Sequence, residues 1–273
     1  MIRARAEVLK LAITEILMQQ QGPTPSADRT TLSRLRSLSV RRVKNAAVAW
    51  SLSPVARSVL RSGLTYLSPQ RLRALERQVK RLDREGVRGD FIECGVALGG
   101  SAILLAALLS SQRRFHGYDV FEMIPPPGPK DESDAHNRYD VIKSGTSSGI
   151  GGKQYYGYVN NLYDVVVGNF HKHGLVVDDD RIRLHRGLFG DTLRFSPGSQ
   201  IALAHIDCDW YEPVQLCLER IYPHLSVGGV MILDDYNAWR GCRKAADAFL
   251  ADKRDLKVVT TKPNAVILRV AGR

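Results

Sequence analysis

Four carboxylates stand in two short motifs in the C-terminal half of the chain. Asp207 and Asp209 follow one apolar run, and Asp234 and Asp235 follow the next. Carboxylates that lie close together repel one another unless a cation neutralises them. An all-oxygen ligand set suits Mg2+ better than zinc or copper. Either motif alone is typical of a loop or a turn, but their shared position after neighbouring strands predicts a metal site that could support metal-assisted chemistry.

A glycine-rich turn followed by an acid forms the second group of candidate functional residues. Gly95, Gly99 and Gly100 separate an apolar run from a helical stretch, and such glycines let the backbone approach a ligand closely. Their spacing differs from the GxGxxG of a pyrophosphate loop and alone indicates only a tight strand-to-helix turn. Asp119 ends the next apolar run, where an acid in this kind of fold accepts hydrogen bonds from ribose hydroxyls. Together these residues favour an adenosine ligand.

The elements that must position these residues can be predicted from the alternation of short apolar runs and helical stretches after Gly89. This alternation is typical of an α/β fold with a mainly parallel sheet. A final pair of β-rich runs predicts an antiparallel hairpin, which makes the order similar to the Rossmann-like sheet of class I methyltransferases. The predicted strands are Asp90 to Cys94, Arg114 to Asp119, Ile182 to Arg186, Ile201 to Asp207, Gly229 to Leu233, Leu256 to Thr261 and Ala265 to Val270.

Charge is unevenly distributed along the 273 residues. Residues 1–90 hold 18 Lys/Arg against 7 Asp/Glu, so that they account for the whole formal net charge of +11. We predict two domains: a basic helical extension over 1–85 and a catalytic domain over 86–273. Helical spacing of the basic side chains indicates a solvated face rather than a nucleic-acid-binding surface. We expect no nucleic-acid partner and consider a homo-oligomer through the N-terminal helices. The basic residues at this spacing are Arg71, Arg73, Arg77, Lys80, Arg81 and Arg84.

Cysteine usage and hydropathy indicate the compartment. The four cysteines contain no CxxC pair, which argues against a zinc site or a disulfide framework and favours a reducing, cytoplasmic location. The apolar run from Leu9 to Met18 is interrupted by Glu15 and lacks a cleavage site, so neither a signal peptide nor a membrane span is predicted. An amphipathic helix is the expected structure there.

Several sequence blocks in the same order resemble the macrocin O-methyltransferase (TylF-type) family. They extend from about Glu85 to Phe249 and include GVRGDFIECGVALGGS, YDVFE, GNFHKHGL, RIRLHRGLFGDTL, HIDCDWYEPVQLCLERIYPHLSVGGVMILDDY and CRKAADAF. The resemblance implies a Mg2+ ion held by Asp207, Asp234 and Asp235, with Asp209 as the general base. It also implies an S-adenosylmethionine site. The predicted cofactor-binding residues are Glu93, Gly95, Val96, Gly99, Gly100, Ser101, Asp119, Phe189 and Asp191.

Two departures from the family pattern bear on the acceptor. The usual DSFEG after the second strand is DVFEM here, which keeps the acid Asp119 but loses a serine and a glycine. Residues 125–158 are rich in Pro, Gly and Ser, a composition that fits either a mobile lid over the acceptor or a disordered insertion.

The sequence therefore predicts an S-adenosylmethionine-dependent O-methyltransferase that acts on a hydroxyl of a sugar or glycosylated natural product, with a vicinal diol as the first choice. A catechol-like phenol is the alternative acceptor. From other classes, a glycosyltransferase could hold a metal and a nucleotide sugar through Asp207 and Asp209. A nucleoside-binding regulatory module with a basic arm is a further alternative, although four carboxylates would repel a polyphosphate from the cleft.

Overall fold

The computed structural model describes residues 47–272 of the chain. The predicted amphipathic helix over residues 9–18 and most of the predicted oligomer-forming extension lie outside this range. The described helices are α1 (Pro54–Ser62), α2 (Pro69–Arg84), α3 (Gly100–Ala107), α4 (Ser133–Lys143), α5 (Leu162–Lys172), α6 (Phe189–Thr192), α7 (Tyr211–Ile221) and α8 (Arg240–Leu250). The strands are β1 (Asp90–Cys94), β2 (Phe115–Asp119), β3 (Ile182–Arg186), β4 (Ile201–Ile206), β5 (Leu225–Leu233), β6 (Leu256–Thr260) and β7 (Ala265–Arg269).

The seven strands form one sheet in the order β3-β2-β1-β4-β5-β7-β6. The first five are parallel, and β7 runs antiparallel to both β5 and β6. The predicted strands are all found, and the main difference is that β5 begins at Leu225, four residues before the expected start. Because β1 and β4 are neighbours at the centre, the strand order reverses between them. A ligand crevice is expected at this position in an open α/β sheet.

Apolar side chains on the two faces of the sheet form two cores. One core contains β-strand residues together with α1, α2, α3 and α5, and the other packs α7 and α8 against the opposite face. Leu72, Leu75 and Leu82 of α2 are completely buried, which ties the described end of the basic region to the sheet. The domain boundary at residue 85 stays a prediction. Among residues 47–272, no helix combines the length and apolar composition required to cross a membrane.

The basic face of α2 differs in part from the prediction. Arg77, Lys80 and Arg84 are exposed, as a solvated face requires. Arg81, however, donates a hydrogen bond to the Gly228 carbonyl, and Arg71 reaches the side chain of Asp234. The expectation of a uniformly solvated face is therefore wrong, because helical spacing does not reveal which turn of the helix faces a neighbouring strand end.

Residues 125–158 are folded against the body of the chain and include α4. The Asp131 carboxylate accepts hydrogen bonds from the backbone N–H groups of Tyr211 and Gly128, at 2.8 and 3.0 Å. Glu132 forms an ion pair with Arg240 at the start of α8. These contacts attach the segment to the N-terminal ends of α7 and α8, next to the carboxyl ends of the parallel strands.

Candidate active site

Gly95, directly after β1, is the residue at which the backbone corner has no room for a side chain. Its φ of +95° lies in the left-handed region, and a Cβ at this position would be 1.8 Å from the carbonyl oxygen of Asp207. The loops after β1 and β4 therefore touch at backbone level. This contact brings the glycine corner and the first acidic motif to the same point of the crevice.

Asp119, at the end of β2, is bound by the backbone of the corner. Its Oδ2 accepts hydrogen bonds from the N–H groups of Val96 and Ala97, and its Oδ1 accepts one from Phe121. Burial raises the pKa of Asp119, and these backbone hydrogen bonds oppose the rise. A carboxylate has about four lone-pair sites, so one remains for a ligand. Sequence reasoning identified the acid but not its role in fixing the corner.

A first cavity of about 380 Å³ opens beside this corner. Gly95, Asp119, Phe189 and Asp191 line it, so the structure brings together four of the nine residues predicted to bind the cofactor. The walls are completed by the segment Ile124–Pro126 on one side and by Gly187 and Leu188 on the other. The wall of the cavity is mostly apolar, and carboxylates such as Asp119, Asp191 and Asp209 supply its polar groups, a combination that suits a nucleoside.

The remaining predicted cofactor residues lie away from this cavity. Glu93 is completely buried and Val96 is 2% exposed, so in this conformation their side chains offer no surface to a ligand. A Cβ on Gly100 would be 2.4 Å from the Leu64 carbonyl oxygen, and the backbone N–H of Gly100 donates to the same oxygen. Gly99 and Ser101 belong to the same corner, where the backbone approaches the segment before α2. Close packing explains Gly99 and Gly100, and the cofactor role of Ser101 stays a prediction.

The acidic residues that follow β4 and β5 come together as the motif spacing predicts. Asp207, Asp234 and Asp235 each offer one carboxylate oxygen, and these three oxygens lie within 4.8 Å of one another. The backbone N–H of Asp234 donates to Ile206 and that of Asp207 to Cys94, so the register of the parallel strands continues into the motifs. Neighbouring parallel strands therefore place the three side chains at one point.

Burial and mutual repulsion make the carboxyl groups of Asp207, Asp209 and Asp235 hard to ionise. Burial and the charge of Asp234 raise the pKa of Asp207 to about 8. Burial, with Asp209 and Asp207, raises the pKa of Asp235 well above its usual range. Burial also raises the pKa of Asp209 to about 6, against the hydrogen bond from Trp239 that lowers it. The site thus stores an unfavourable interaction that a divalent cation would relieve.

Two cationic side chains approach the cluster from opposite sides. Arg71 Nη1 lies 2.5 Å from Asp234 Oδ2, and the Asp234 side chain is only 3% exposed. On the other side His205 Nδ1 lies 2.6 Å from Glu93, and its Nε2 is 3.9 Å from Asp234 Oδ1. Burial lowers the pKa of His205, but the Asp234 and Glu93 carboxylates outweigh it and raise that pKa well above its usual value. Motif spacing revealed neither partner of Asp234.

One direct observation indicates that these carboxylate oxygens would suit a divalent cation. Asp234 Oδ1 is buried without a hydrogen-bond partner, although buried polar atoms are almost always paired. The neighbouring ligand atoms are all carboxylate oxygens, the ligands preferred by Mg2+. Asp209 instead has Oδ1 occupied by the indole N–H of Trp239 at 2.6 Å. The four carboxylates therefore divide into three candidate ligands and one with a different partner.

A second cavity of about 260 Å³ adjoins the first. Both are lined by Gly95, Asp119, Tyr156, Asp207, Asp209 and Trp210. Asp234 and Asp235 line only the second cavity, whose other walls include Tyr66, Arg71, Arg138, Tyr155 and Trp239. Several of these residues come from the segment 125–158, which therefore forms part of the cavity wall. Sequence reasoning missed Arg71 and Arg138 because both are far in sequence from the acidic motifs. It also missed Trp239, which follows Asp235 closely but bonds to Asp209 of the other motif.

Solved structures establish the class of protein. The O-methyltransferase NovP matches with a TM-score of 0.63 and 27% identity, over 77% of this chain and 83% of that chain. An O-methyltransferase from Bacillus cereus in complex with SAH matches with a TM-score of 0.50 and 17% identity, over 83% of this chain and 96% of that one. The predicted class I methyltransferase fold is confirmed.

Sequence comparison then establishes the family. Residues 5–262 match the macrocin O-methyltransferase (TylF) family, and the chain belongs to it. This confirms the resemblance inferred from the sequence blocks and favours a methyltransferase over the glycosyltransferase alternative.

Curated relatives carry the same class of activity in their names. The 8-demethyl-8-(2,3-dimethoxy-alpha-L-rhamnosyl)-tetracenomycin-C 4'-O-methyltransferase of Streptomyces olivaceus is 34% identical over 185 residues, 66% of this chain. The match spans 65% of that relative, slightly less than two thirds of its length. The mycinamicin III 3''-O-methyltransferase of Micromonospora griseorubida is 29% identical over 194 residues, 68% of this chain and 69% of its own.

Proposed function

We propose that this protein transfers a methyl group from S-adenosylmethionine to a hydroxyl of a sugar or glycosylated natural product, with the help of a divalent cation, Mg2+. The observation that carries the proposal is the cluster of Asp207, Asp234 and Asp235, in which one carboxylate oxygen of Asp234 has no hydrogen-bond partner. Asp207 lines both cavities, and Asp234 and Asp235 line the second. One cavity is suited to the nucleoside and the other to the acceptor. The reacting groups would meet where both share Gly95 and Asp209.

The first cavity is the proposed cofactor site. The remaining lone-pair site of Asp119 would accept a hydrogen bond from a ribose hydroxyl. Phe189 offers an aromatic surface to the adenine, and Asp191 lies beside it on the same wall. Gly95 allows the ligand to approach the backbone, because no side chain fits there. The cofactor would thus be bound by the corner that Asp119 holds in place.

The acidic cluster is the proposed cation site. Asp207, Asp234 and Asp235 would hold the ion, and Arg71 would keep Asp234 oriented through its second carboxylate oxygen. When bound, S-adenosylmethionine supplies an electrophilic methyl group, and the cation supplies a Lewis acid that lowers the pKa of an acceptor hydroxyl. Two adjacent hydroxyls could both face the ion, which favours a vicinal diol as the acceptor.

Asp209 is the proposed general base. Its pKa of about 6 is close to neutral pH, where a carboxylate base is both ionised and basic enough to accept a proton. The acceptor oxygen would form a bond to the methyl carbon as the carbon–sulfur bond breaks, and its proton would pass to Asp209. Most of the remaining rate enhancement comes from holding the two reactants in line.

The acceptor class follows from the relatives and from the second cavity. The named relatives methylate glycosylated compounds. Tyr66, Tyr155 and Trp239 give the cavity flat apolar walls next to charged groups. Such walls suit a ring that exposes both an apolar face and hydroxyl groups.

A binding and turnover experiment tests this function. S-adenosylhomocysteine is titrated into the protein by calorimetry, and methyl transfer is then assayed with a panel of glycosides that includes mycinamicin III. We expect cofactor binding without added metal, no turnover after EDTA treatment, and recovered turnover when Mg2+ is restored. Full turnover in EDTA would defeat the cation mechanism, whereas absence of cofactor binding would defeat the proposal as a whole.

A further inference from the structure

Trp239 makes a short hydrogen bond to the candidate base. Its indole Nε1 lies 2.6 Å from Asp209 Oδ1. Hydrogen bonds to an ionised carboxylate are shorter and roughly twice as strong as those between neutral groups. Among the other acids of the site, Asp207 and Asp234 repel the Asp209 carboxylate, whereas Asp235 also makes a hydrogen bond with its side chain. Trp239 is a neutral donor that fixes the Oδ1 atom of this carboxylate at short distance.

Secondary structure does not orient Asp209. Its φ of +58° places it in the left-handed region, between the end of β4 and the start of α7. Aspartate is one of the few residues with a side chain that tolerate this conformation. The backbone N–H of Asp209 donates to Asp235 at 3.3 Å, a long hydrogen bond. Arg138 interacts with Asp209 electrostatically but makes its own hydrogen bond to Ser147. The direction of the side chain thus depends on the indole.

Trp239 is itself held firmly. Its backbone N–H donates to the Asp235 carbonyl at 3.0 Å, and its ring packs edge to face on Trp210 with 5.4 Å between ring centres. The indole of Trp210 in turn donates to the Pro125 carbonyl at 3.0 Å. Rigid support of this kind is what a residue needs to hold a reacting group in a productive geometry.

We infer that Trp239 is a positioning residue for methyl transfer. It holds Asp209 Oδ1 so that Oδ2 accepts the acceptor proton as the oxygen–methyl bond forms and the carbon–sulfur bond breaks. This inference rests on the proposed function, because it takes Asp209 as the base. Trp239 does not contact the carboxylate oxygens of the cation ligands and does not line the first cavity. It connects the end of β5 to the loop after β4.

Nuclear magnetic resonance of the full chain tests the contact without an acceptor. The chain contains three tryptophans, so 15N labelling of the indoles gives three signals at most, and Trp239→Phe identifies one of them. We expect this Nε1–H signal to lie downfield and to move upfield in Asp209→Asn, since the acceptor loses its charge. The Trp210 signal, whose acceptor is a carbonyl, is the internal control. A Trp239 signal unaffected by Asp209→Asn would overturn the inference.

A double-mutant cycle tests the function of the contact. In the Mg2+-loaded protein we expect Trp239→Phe to lower kcat by about 10- to 100-fold, the range for losing a hydrogen bond to a charged group, with little change in the KM for S-adenosylmethionine. In an Asp209→Asn background the same substitution should have no further effect. Trp50→Phe, which alters an indole that is 79% exposed, is the matched control and should leave turnover unchanged in both backgrounds.

The possible outcomes distinguish a failure of the role inferred for Trp239 from a failure of the proposed function. An equal loss from Trp239→Phe in both backgrounds would show that Trp239 acts other than through Asp209, and the inference would fail alone. Full turnover by Asp209→Asn would instead overturn the base assignment in the proposed function. If Trp239→Phe does not fold, the effect of Asp209→Asn on the indole signals of the otherwise unaltered chain still decides the contact.

Discussion

At the end of β2 the Asp119 carboxylate accepts hydrogen bonds from three backbone N–H groups. At the end of β5 the Asp234 carboxylate has Arg71 on one oxygen, and its other oxygen has no hydrogen-bond partner and lies 3.9 Å from His205 Nε2. Both side chains are buried and both lie at the carboxyl end of a central parallel strand. Asp119 thus has most of its hydrogen-bonding capacity used by its own fold. Asp234 keeps one oxygen free of any hydrogen bond within the described residues.

The two carboxylates are therefore expected to differ in role: Asp119 shapes the backbone of the site, whereas Asp234 is placed to bind a ligand in it. Backbone N–H groups stabilise the charge of Asp119 and fix the glycine corner around it. The cluster around Asp234 has no comparable set of donors, and its members repel one another. A buried polar atom without a partner in a native fold is expected to meet an ion, water or ligand. We therefore expect substitutions in the corner around Asp119 and in the cluster around Asp234 to have different effects.

The largest effect is expected from removing a candidate cation ligand. Asp234→Ala should abolish measurable Mg2+ binding and turnover, a loss greater than the roughly 10- to 100-fold typical of residues that only support a ligand. Metal titration by calorimetry and turnover with restored Mg2+ measure it. Asp180→Ala, which removes an exposed acid far from the cluster, is the control. Unchanged Mg2+ affinity in Asp234→Ala would show that Asp234, like Asp119, is not a cation ligand.

Asp209→Asn should separate the base from the cation ligands. We expect turnover to fall by about 10² to 10⁴, the usual contribution of general-base catalysis, while Mg2+ binding is largely retained. The same calorimetric titration and turnover assay are applied to both variants. Equal loss of metal binding in Asp209→Asn and Asp234→Ala would mean that all four acids act as one ligand set.

Asp119→Asn should lower both stability and cofactor affinity. The amide NH2 would face a backbone donor, and leaving buried groups unsatisfied costs about 1 to 3 kcal/mol. Thermal unfolding measures the first effect and titration with S-adenosylhomocysteine the second. A variant that loses cofactor affinity at unchanged stability would show that Asp119 acts as a ligand contact and not as the organiser of the corner.

The smallest effect concerns a half-buried histidine that lies outside both the Asp119 corner and the Asp234 cluster. His185 on β3 stacks on Tyr118 with ring centres 4.3 Å apart, and burial lowers its pKa to about 4. The unfolded chain, with a histidine pKa of about 6.5, then binds more protons than the native state between these values. The free energy of unfolding should therefore decrease as pH falls from 6.5 to 4.

Denaturant unfolding at several pH values tests this dependence. His185→Gln should weaken it in that window, while an exposed histidine such as His136 serves as the control when replaced in the same way. An unchanged pH dependence in His185→Gln would contradict this assignment, since the raised pKa values of Asp207 and Asp209 act in the opposite direction and stabilise the native state as pH falls.

Local sequence patterns were sufficient to predict the sheet, the glycine corner and the acidic motifs. Apolar runs of strand length bounded by turns are determined over a few residues, so β1, β3 and the terminal hairpin lie where they were predicted. Because the ends of parallel strands share one edge, the convergence of Asp207 with Asp234 and Asp235 could be inferred from strand order alone. Their roles as cation ligands stay a prediction.

Tertiary structure decided which side chains complete these motifs. Helical spacing on α2 could not distinguish Arg71, which binds Asp234, from Arg77, which is exposed. Nor could it show that Glu93 is enclosed with His205 or that Trp239 holds Asp209. The physical reason is that sequence periodicity specifies a face within one element, whereas a contact between elements depends on how they pack. The amino-acid sequence by itself determined the acids and the strands that carry them, and only the packed chain determined which partners hold each acid.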